Sequence, residues 1–363
     1  MEIVTFGKND PVPVEFARLP LQVYRDDPYW IPVSPEKALA PFTASSPFHG
    51  SGEYLGFLAL DKGAPAGRLA AFVNPRLSQE GEPVGTVGLF EVVENPDTSE
   101  RLLTAAFEWL RTRGIRRVWG PMNFTIFHGY RFMTRGFERV PFYGEPYNRP
   151  TYPEHFQRAG FRPIARWYSW DLTQAQVRRL CDYLDRGVSA DEPARPEVEI
   201  LPFDPASFDD EFAQLHRIVT RTFWEHLGYT EISLEEFREV YSELGSILRR
   251  DHLVFARTAR GEIIGFCLAY PDVSQHVRKM RDRVERNAGP QPAIGCSRVC
   301  LHSFGIVKQE RGTGVAHQLL GVVLGKCLEY KGTIAALVRE HQRNVFERIS
   351  PPTREYSLYE RIL

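Results

Sequence analysis

The fold is decided by residues 301–330, LHSFGIVKQERGTGVAHQLLGVVLGKCLEY. An apolar run leads into Gly312 and Gly314, and a second apolar segment with leucines at helical spacing follows. The stretch predicts a strand, a tight turn and an amphipathic helix. Glycines allow backbone N–H groups to approach a ligand closely, and the start of a helix attracts anions. The turn therefore suits a pyrophosphate, although two glycines also occur where only a strand-to-helix turn is needed.

A hairpin pattern occurs upstream of this stretch and again in the first half of the chain. Two apolar runs joined by a turn occupy residues 252–272, and the same pattern occupies residues 54–74. Phe57 and Phe255 are 198 residues apart, as are Gly63 and Gly261. The constant offset predicts a duplicated hairpin.

Helices with similar surroundings follow in both halves. The spacing predicts helices over Thr98–Arg113, with Leu102, Ala106 and Leu110 on one face, and over Gly314–Tyr330, with Leu320, Leu324 and Leu328 on one face. Each helix ends at a glycine, Gly114 or Gly332, before a further strand. These glycines are 218 residues apart, so the second half carries an insertion of about twenty residues, placed at Ser274–Pro292. Its basic residues either face a substrate or lie on a solvated helix.

The segment that links the halves is GVSADEPARPEVE, residues 187–199. Its mixture of Gly, Ser, Pro and charge is typical of a linker. We expect two domains, residues 1–190 and 196–363, which a chain of 363 residues can support with two ordinary cores.

The pattern Gln309-x-x-Gly312-x-Gly314 resembles the acetyl-CoA signature of the Gcn5-related N-acetyltransferase (GNAT) superfamily. The hairpin before it and the strand REYSLYERIL after it are also in GNAT order. The resemblance implies an α/β (α+β) fold, in which each domain has a mixed, mostly antiparallel central sheet flanked by helices. It also implies acetyl-CoA as co-substrate.

The resemblance assigns roles around the glycine turn. Ile306 and Val307 would pair with the pantetheine arm as an added strand. The pyrophosphate would be held by Arg311, Gly312, Thr313, Gly314, Val315 and Ala316, beside Gln309. Asn344 loosely matches an asparagine that follows the fifth strand in the superfamily.

The first half lacks this turn. The offset of 218 puts Glu91, Glu94, Asn95 and Pro96 opposite Gln309, Gly312, Thr313 and Gly314. A glutamate repels phosphate and proline has no N–H to donate, so this half is not expected to bind CoA. Because residues 152–172 resemble the helix-then-strand ending of a GNAT domain, we interpret residues 1–190 as a degenerate GNAT-like domain.

The segment between the first half's matched elements is rich in aromatic, Gly, Pro and Asn residues, which fits the lining of a cleft. Its candidate acceptor-binding residues are Asn123, His128, Tyr130 and Tyr147. Packing between the two domains is the alternative role for these rings.

Acetyl transfer to an amine needs a base for the ammonium proton and an acid for the thiolate. His302, just before the glycine turn, is our candidate base or water relay, or else a core histidine. Many GNAT enzymes place a tyrosine acid where this chain has Phe346, so Tyr356 is the substitute candidate acid. Both roles depend on the resemblance.

Composition excludes some classes of partner. A formal net charge of -1 offers no global basic field for nucleic acid or anionic membranes, and nowhere do eighteen apolar residues run together. The five cysteines lack the spacing of a zinc site, so we expect no metal, reduced thiols and a cytoplasmic location.

The sequence therefore predicts an N-acyltransferase that moves an acetyl group from acetyl-CoA to a small-molecule or peptide amine by direct attack. Two alternatives stay open. One is a non-catalytic CoA-binding or regulatory protein, and the other is a tRNA-dependent aminoacyl transferase of similar tandem fold, which would favour a basic groove that the near-neutral composition does not indicate.

Overall fold

The computed structural model describes residues 1–43, 46–50, 52–93, 95–187, 197–274, 276, 295–342 and 344–363. Three parts of the sequence predictions lie outside the described residues. They are the centre of the predicted linker, nearly all of the predicted insertion Ser274–Pro292, and the single residue Glu94. The division into domains 1–190 and 196–363 stays a prediction.

One continuous sheet runs through the described part of the chain. Its strands are β1 (Glu2–Gly7), β2 (Glu53–Asp61), β3 (Ala64–Gln79), β4 (Glu82–Val92), β5 (Arg117–Gly120), β6 (Phe132–Arg135), β7 (Arg162–Thr173), β8 (Val198–Pro202), β9 (Leu253–Thr258), β10 (Ile263–Pro271), β11 (Arg298–Ile306), β12 (Gly332–Arg339) and β13 (Arg354–Ile362). Their order is β1-β2-β3-β4-β5-β13-β7-β12-β11-β10-β9-β8, and β6 pairs with β13 beside this path. Neighbours are antiparallel except for the parallel pairs β4–β5 and β11–β12. The predicted fold class is confirmed.

Both predicted hairpins are present, as β2–β3 and β9–β10. Gly63 and Gly261 each have a φ of 83° in the connecting turn. Only glycine adopts this left-handed conformation without strain, which explains why both turns carry it at the same place.

Helices cover the sheet. They are α1 (Val14–Val23), α2 (Pro35–Leu39), α3 (Pro96–Arg111), α4 (Tyr152–Arg158), α5 (Gln174–Gly187), α6 (Phe208–Phe223), α7 (Leu234–Val240), α8 (Leu244–Ile247) and α9 (Val315–Cys327). In α3 the predicted face of Leu102, Ala106 and Leu110 is buried. Among the described helices, none combines the length and apolarity needed to cross a lipid bilayer.

The predicted face of α9 is wrong by about one residue. The buried stripe consists of Val315, Leu319, Val323 and Cys327, with Leu324 beside it, whereas Leu320 and Leu328 are only partly buried. The helix packs on the sheet and also against α5, so apolar residues surround most of it and leucine spacing does not identify the side that faces the sheet. Gly332 begins β12 and does not cap α9.

The two halves exchange their closing strands. β7, from the first half, pairs with β12, and Leu172 lies opposite Thr333. β13, from the second half, pairs with β5, and Tyr359 lies opposite Gly120. β7 and β13 also pair with each other at the centre of the sheet. Each half therefore depends on a strand that the other half supplies.

Candidate functional site

The parallel strands β11 and β12 part in the middle of the sheet. Their pairing ends where Leu301 lies opposite Ala335, although β11 continues to Ile306. Beyond Leu301, the edge of β11 that faces β12 has no strand partner among the described residues. Its backbone groups can therefore pair with an extended ligand.

Each strand has a local cause for this gap. Leu268 of β10 faces Ser303 while Ala269 faces Leu301, so His302 is the extra residue of a β-bulge in β11. In β12, Leu337 has a φ of 60° and its N–H donates to Ser169 Oγ at 3.0 Å. A bulge bends its strand and redirects the side chain, and His302 lines the cavity at the inner end of the gap.

The glycine turn lies at the outer end of the same gap. Gly312 and Gly314 have φ values of 80° and 83°, and Gly314 immediately precedes α9. A Cβ at Gly312 would meet nothing within 4 Å, so the left-handed backbone, not crowding, is what requires glycine there. Thr313 Oγ1 donates to the carbonyl of Glu310 at 2.8 Å. The turn and the N-terminus of α9 form an open cradle suited to an anion.

Two cations border the turn and share one carboxylate. Arg311 Nη1 lies 2.7 Å from Glu225 Oε2, and Lys308 Nζ lies 2.9 Å from Glu225 Oε1. Hydrogen bonds from both cations lower the pKa of Glu225. These exposed groups can turn toward a phosphate because surface ion pairs are weak.

The other residues predicted to bind the acyl donor lie in three places: the end of β11, the glycine turn with the start of α9, and the segment after β12. Ile306 and Val307 bury their side chains, and the N–H of Val307 donates to Ile264 O at 2.9 Å. Gln309, Val315 and Ala316 belong to the turn and the first residues of α9. Asn344 lies after β12, where its Oδ1 accepts from the N–H of Phe346 at 3.1 Å. Its side chain also accepts from the N–H of Glu347 at the start of a short 3₁₀ helix, Phe346–Arg348, and its part in donor binding stays a prediction.

A cavity of about 940 Å³ lies between the halves and reaches the inner end of the gap. Aromatic and aliphatic side chains from both halves form much of its wall, including Trp30, Phe90, Phe132, Tyr241, Ile247 and Leu268. All four predicted acceptor-side residues line it together with His302. Their contact roles stay predictions, but the structure brings them together around one space.

Asn123 and His128 are held by local hydrogen bonds. Asn123 Oδ1 accepts from the N–H of Leu89 at 2.8 Å. His128 Nδ1 lies 2.9 Å from Thr125 Oγ1, and burial lowers the pKa of His128 to about 3. His128 is therefore a neutral ring at physiological pH.

Tyr130 and Tyr147 line the cavity, and each ring is also held by a contact outside it. Tyr130 makes an edge contact with Trp167, with ring centroids 5.4 Å apart. Tyr147 donates to Asp27 Oδ2 at 2.9 Å. Burial raises the pKa of Tyr147 most, and this hydrogen bond raises it further. Both rings are fixed in orientation.

His302 is also a neutral imidazole. Burial and, secondarily, the charge of Arg131 lower the pKa of His302 to about 4. Its Nδ1 lies 2.8 Å from Ser303 Oγ, and its ring centroid lies 5.4 Å from that of Tyr270. An unprotonated imidazole at the end of the gap can accept a proton.

Tyr356 is not among the residues that line the cavity. It is fully buried, and its hydroxyl donates to Glu145, which does line the cavity. Arg354 Nε lies 3.0 Å from Glu145 Oε1, but burial still raises the pKa of Glu145 to about 7. The sequence did not indicate Glu145, because its side-chain partners Arg354 and Tyr356 lie more than 200 positions away in the chain.

The first half has a similar gap, but its described residues form no such cradle. β4 and β5 part after Thr86 and Trp119, and only residues 93–95 separate β4 from α3. Asn95 uses its own side chain to accept from the N–H of Asp97 at 3.0 Å. Glu91 lies in β4, not in a turn, so the sequence alignment of Glu91 with Gln309 is wrong: the two connections differ in length. Burial raises the pKa of Glu91, on the cavity wall, to about 7.

Parted parallel strands, a glycine turn and a following helix, repeated in a degenerate form, define a recognisable class of fold. A tandem GNAT protein from the clavulanic acid biosynthesis pathway superposes with a TM-score of 0.54 at 13% identity, covering 99% of this chain and 98% of that protein. The chain has a tandem GNAT-like fold, and the predicted resemblance is confirmed. No protein-family profile matches it.

Sequence relatives are distant. The chain is 22% identical over 270 residues to protein YghO of Escherichia coli, covering 72% of this chain and 66% of YghO. It is 23% identical over 278 residues to the bacterial ceramide synthase of Caulobacter vibrioides, covering 74% of this chain and 70% of that protein. The match thus spans about two thirds of the length of these relatives. The activities in their names describe those proteins.

Proposed function

We propose that the protein is an acyl-CoA-dependent N-acyltransferase that binds the donor in its second half and the amine in the cavity between the halves. One observation carries this proposal. The gap between β11 and β12 begins at the glycine turn and ends at the cavity, beside His302. A phosphate on the turn and an extended arm along β11 would direct a thioester toward that histidine.

In this reaction the amine attacks the thioester carbonyl directly, the nitrogen–carbon bond forms, and the carbon–sulfur bond breaks to release CoA. His302, neutral at physiological pH, takes the ammonium proton itself or through a water. Tyr356 reaches the cavity only through Glu145, so our candidate acid for the thiolate is this pair and not the phenol alone.

The sequence predicts an acetyl donor, and we retain it as the simplest case. A specific observation favours a second candidate, transfer of a longer acyl chain or transfer to a lipid amine. A cavity of about 940 Å³ with a largely apolar wall exceeds what an acetyl group and a small amine need. Likeness to a protein described as a bacterial ceramide synthase supports the same direction.

The test uses the full chain. Calorimetry measures CoA binding, and incubation of acetyl-, decanoyl- and palmitoyl-CoA with a panel of amines is followed by detection of the released thiol and of the N-acyl product by mass spectrometry. We expect CoA binding and at least one amide product. CoA binding without any product would favour the non-catalytic alternative, and absence of CoA binding would refute the donor site.

A further inference from the structure

Arg131 occupies an unusual place on the cavity wall. Its φ is 83°, a conformation that residues with a Cβ seldom adopt, and its N–H donates to Pro121 O at 3.0 Å. The guanidinium carbon lies 3.9 Å from the ring centroid of Tyr130 and 4.6 Å from that of Trp167. The backbone strain and the two rings fix this side chain against the cavity.

Two other poorly exposed arginines, Arg354 and Arg298, have carboxylate partners. Arg354 lies 2.7 Å from Asp171 and also pairs with Glu145, and Arg298 lies 2.5 Å from Asp272. A buried charge without such a partner is costly.

Arg131 has no such compensation among the described residues. Its Nε donates to the carbonyl of Tyr130 at 3.2 Å, and its Nη1 is buried without a hydrogen-bond partner in the described part of the chain. The ionisable groups that act on it are the phenols of Tyr130 and Tyr356, and burial lowers the pKa of Arg131.

We propose that Arg131 binds an anionic oxyacid group, a carboxylate or a phosphate, carried by the acceptor amine. This inference rests on the proposed function, because it takes the cavity as the acceptor site. The donor does not supply the anion: its phosphates belong at the glycine turn, at the outer end of the gap, and its pantetheine arm and simple acyl chains are neutral. A guanidinium presents paired N–H groups that match a carboxylate or phosphate.

Arg131 and His302 line the same cavity. The charge of Arg131 acts on the imidazole of His302. An anion on Arg131 therefore lies in the same cavity as the proposed base, so the site takes an acceptor that carries both an amine and an anionic group.

Binding tests this without requiring turnover. Calorimetry compares 2-aminododecanoate, dodecyl phosphate and dodecylamine, in the presence of CoA, on the wild-type protein and on Arg131→Met, Arg131→Lys and Arg166→Met. Arg166 is an exposed arginine on β7, outside the cavity lining, and serves as the matched control. Tighter binding of the carboxylate or of the phosphate identifies which oxyacid the site takes.

We expect the wild type and Arg166→Met to prefer an anionic probe over dodecylamine by about 10- to 100-fold, the range for a charge-assisted pair. Arg131→Met should lose this preference and bind dodecylamine as before, whereas Arg131→Lys should keep part of it. The melting temperature of Arg131→Met should be unchanged or higher, since an uncompensated charge is removed.

No preference in the wild type, or an intact preference in Arg131→Met, overturns the proposal. If Arg131→Met does not fold, Arg131→Lys decides. A full preference for the anionic probe in Arg131→Lys would show that the paired N–H groups of a guanidinium are not what binds the anion. A retained anion preference without acyl transfer would instead refute the proposed function and leave this site standing.

Discussion

Replacement of His302 by glutamine tests the proposed base most directly. The pKa of His302 is lowered from 6.5 to about 4. That difference corresponds to about 3.4 kcal/mol against protonating the imidazole in place. A base so weakened lies at the lower end of the usual general-base contribution, so His302→Gln should lower kcat by about 100-fold.

The pH dependence follows with a definite sign. A base works when unprotonated, so activity that depends on His302 is lost as pH falls through its pKa of about 4 and should not titrate near 6.5. Stability has the same sign, because a folded-state pKa below the unfolded value means that stability is lost as pH falls from 6.5 through about 4. His302→Gln should remove this share of the acid destabilisation.

The assay is acyl transfer at saturating acyl-CoA across this pH range, with CoA affinity measured separately by calorimetry. His216→Gln is the control, because His216 lies on α6, within 2.7 Å of the carbonyl oxygen of Ile232 and outside the cavity lining. That variant should lose stability but keep kcat. If His302→Gln kept kcat within about threefold of wild type, His302 would not be the base.

Three further results are expected. Gly312→Glu should weaken CoA binding by at least about tenfold in calorimetry, since it adds a carboxylate beside the pyrophosphate. The control Gly325→Glu, at an exposed position late in α9, should not. Equal CoA affinities of the two variants would mean that the phosphate binds elsewhere. Arg354→Met should lower the free energy of unfolding in urea by about 3–5 kcal/mol at a pH well above 7, where Glu145 is ionised beside Arg354, and the loss should shrink as the pH falls through about 7 and Glu145 is protonated; a loss that did not change with pH would contradict this. Ile247→Trp should shift kcat/KM toward shorter acyl donors by filling the cavity, and an unchanged chain-length profile would place the acyl chain outside it.

Local sequence signals predicted the elements well. The two hairpins, the helices after them and the glycine turn each depend on residues close together in the chain, and each is present. The amphipathic pattern failed only in α9, where apolar surroundings on several sides hide the period.

Long-range pairing was not predictable from the sequence. The alternation in residues 354–363 indicates a strand but not its neighbours, and Arg354 gives no sign that Glu145 is its partner. The position of Glu91 was missed for a related reason: the offset of 218 was measured between helix ends, whereas the two turns differ in length. Arg131 carries no sequence signal, because its significance is that no carboxylate among the described residues forms an ion pair with it.

The exchanged strands constrain how the chain can reach its native state. Gly120 and Tyr359 face each other across 239 positions of sequence, so β5 waits with an open edge until residues 354–362 have been synthesised. The first half cannot complete its sheet during the synthesis of its own residues, and a ribosome that stalls before β13 leaves that half unfinished. Cutting the gene at the linker would therefore not yield two independent proteins. A protease that removes β13, which is part of the second half of the sequence, would disrupt the sheet of the first half.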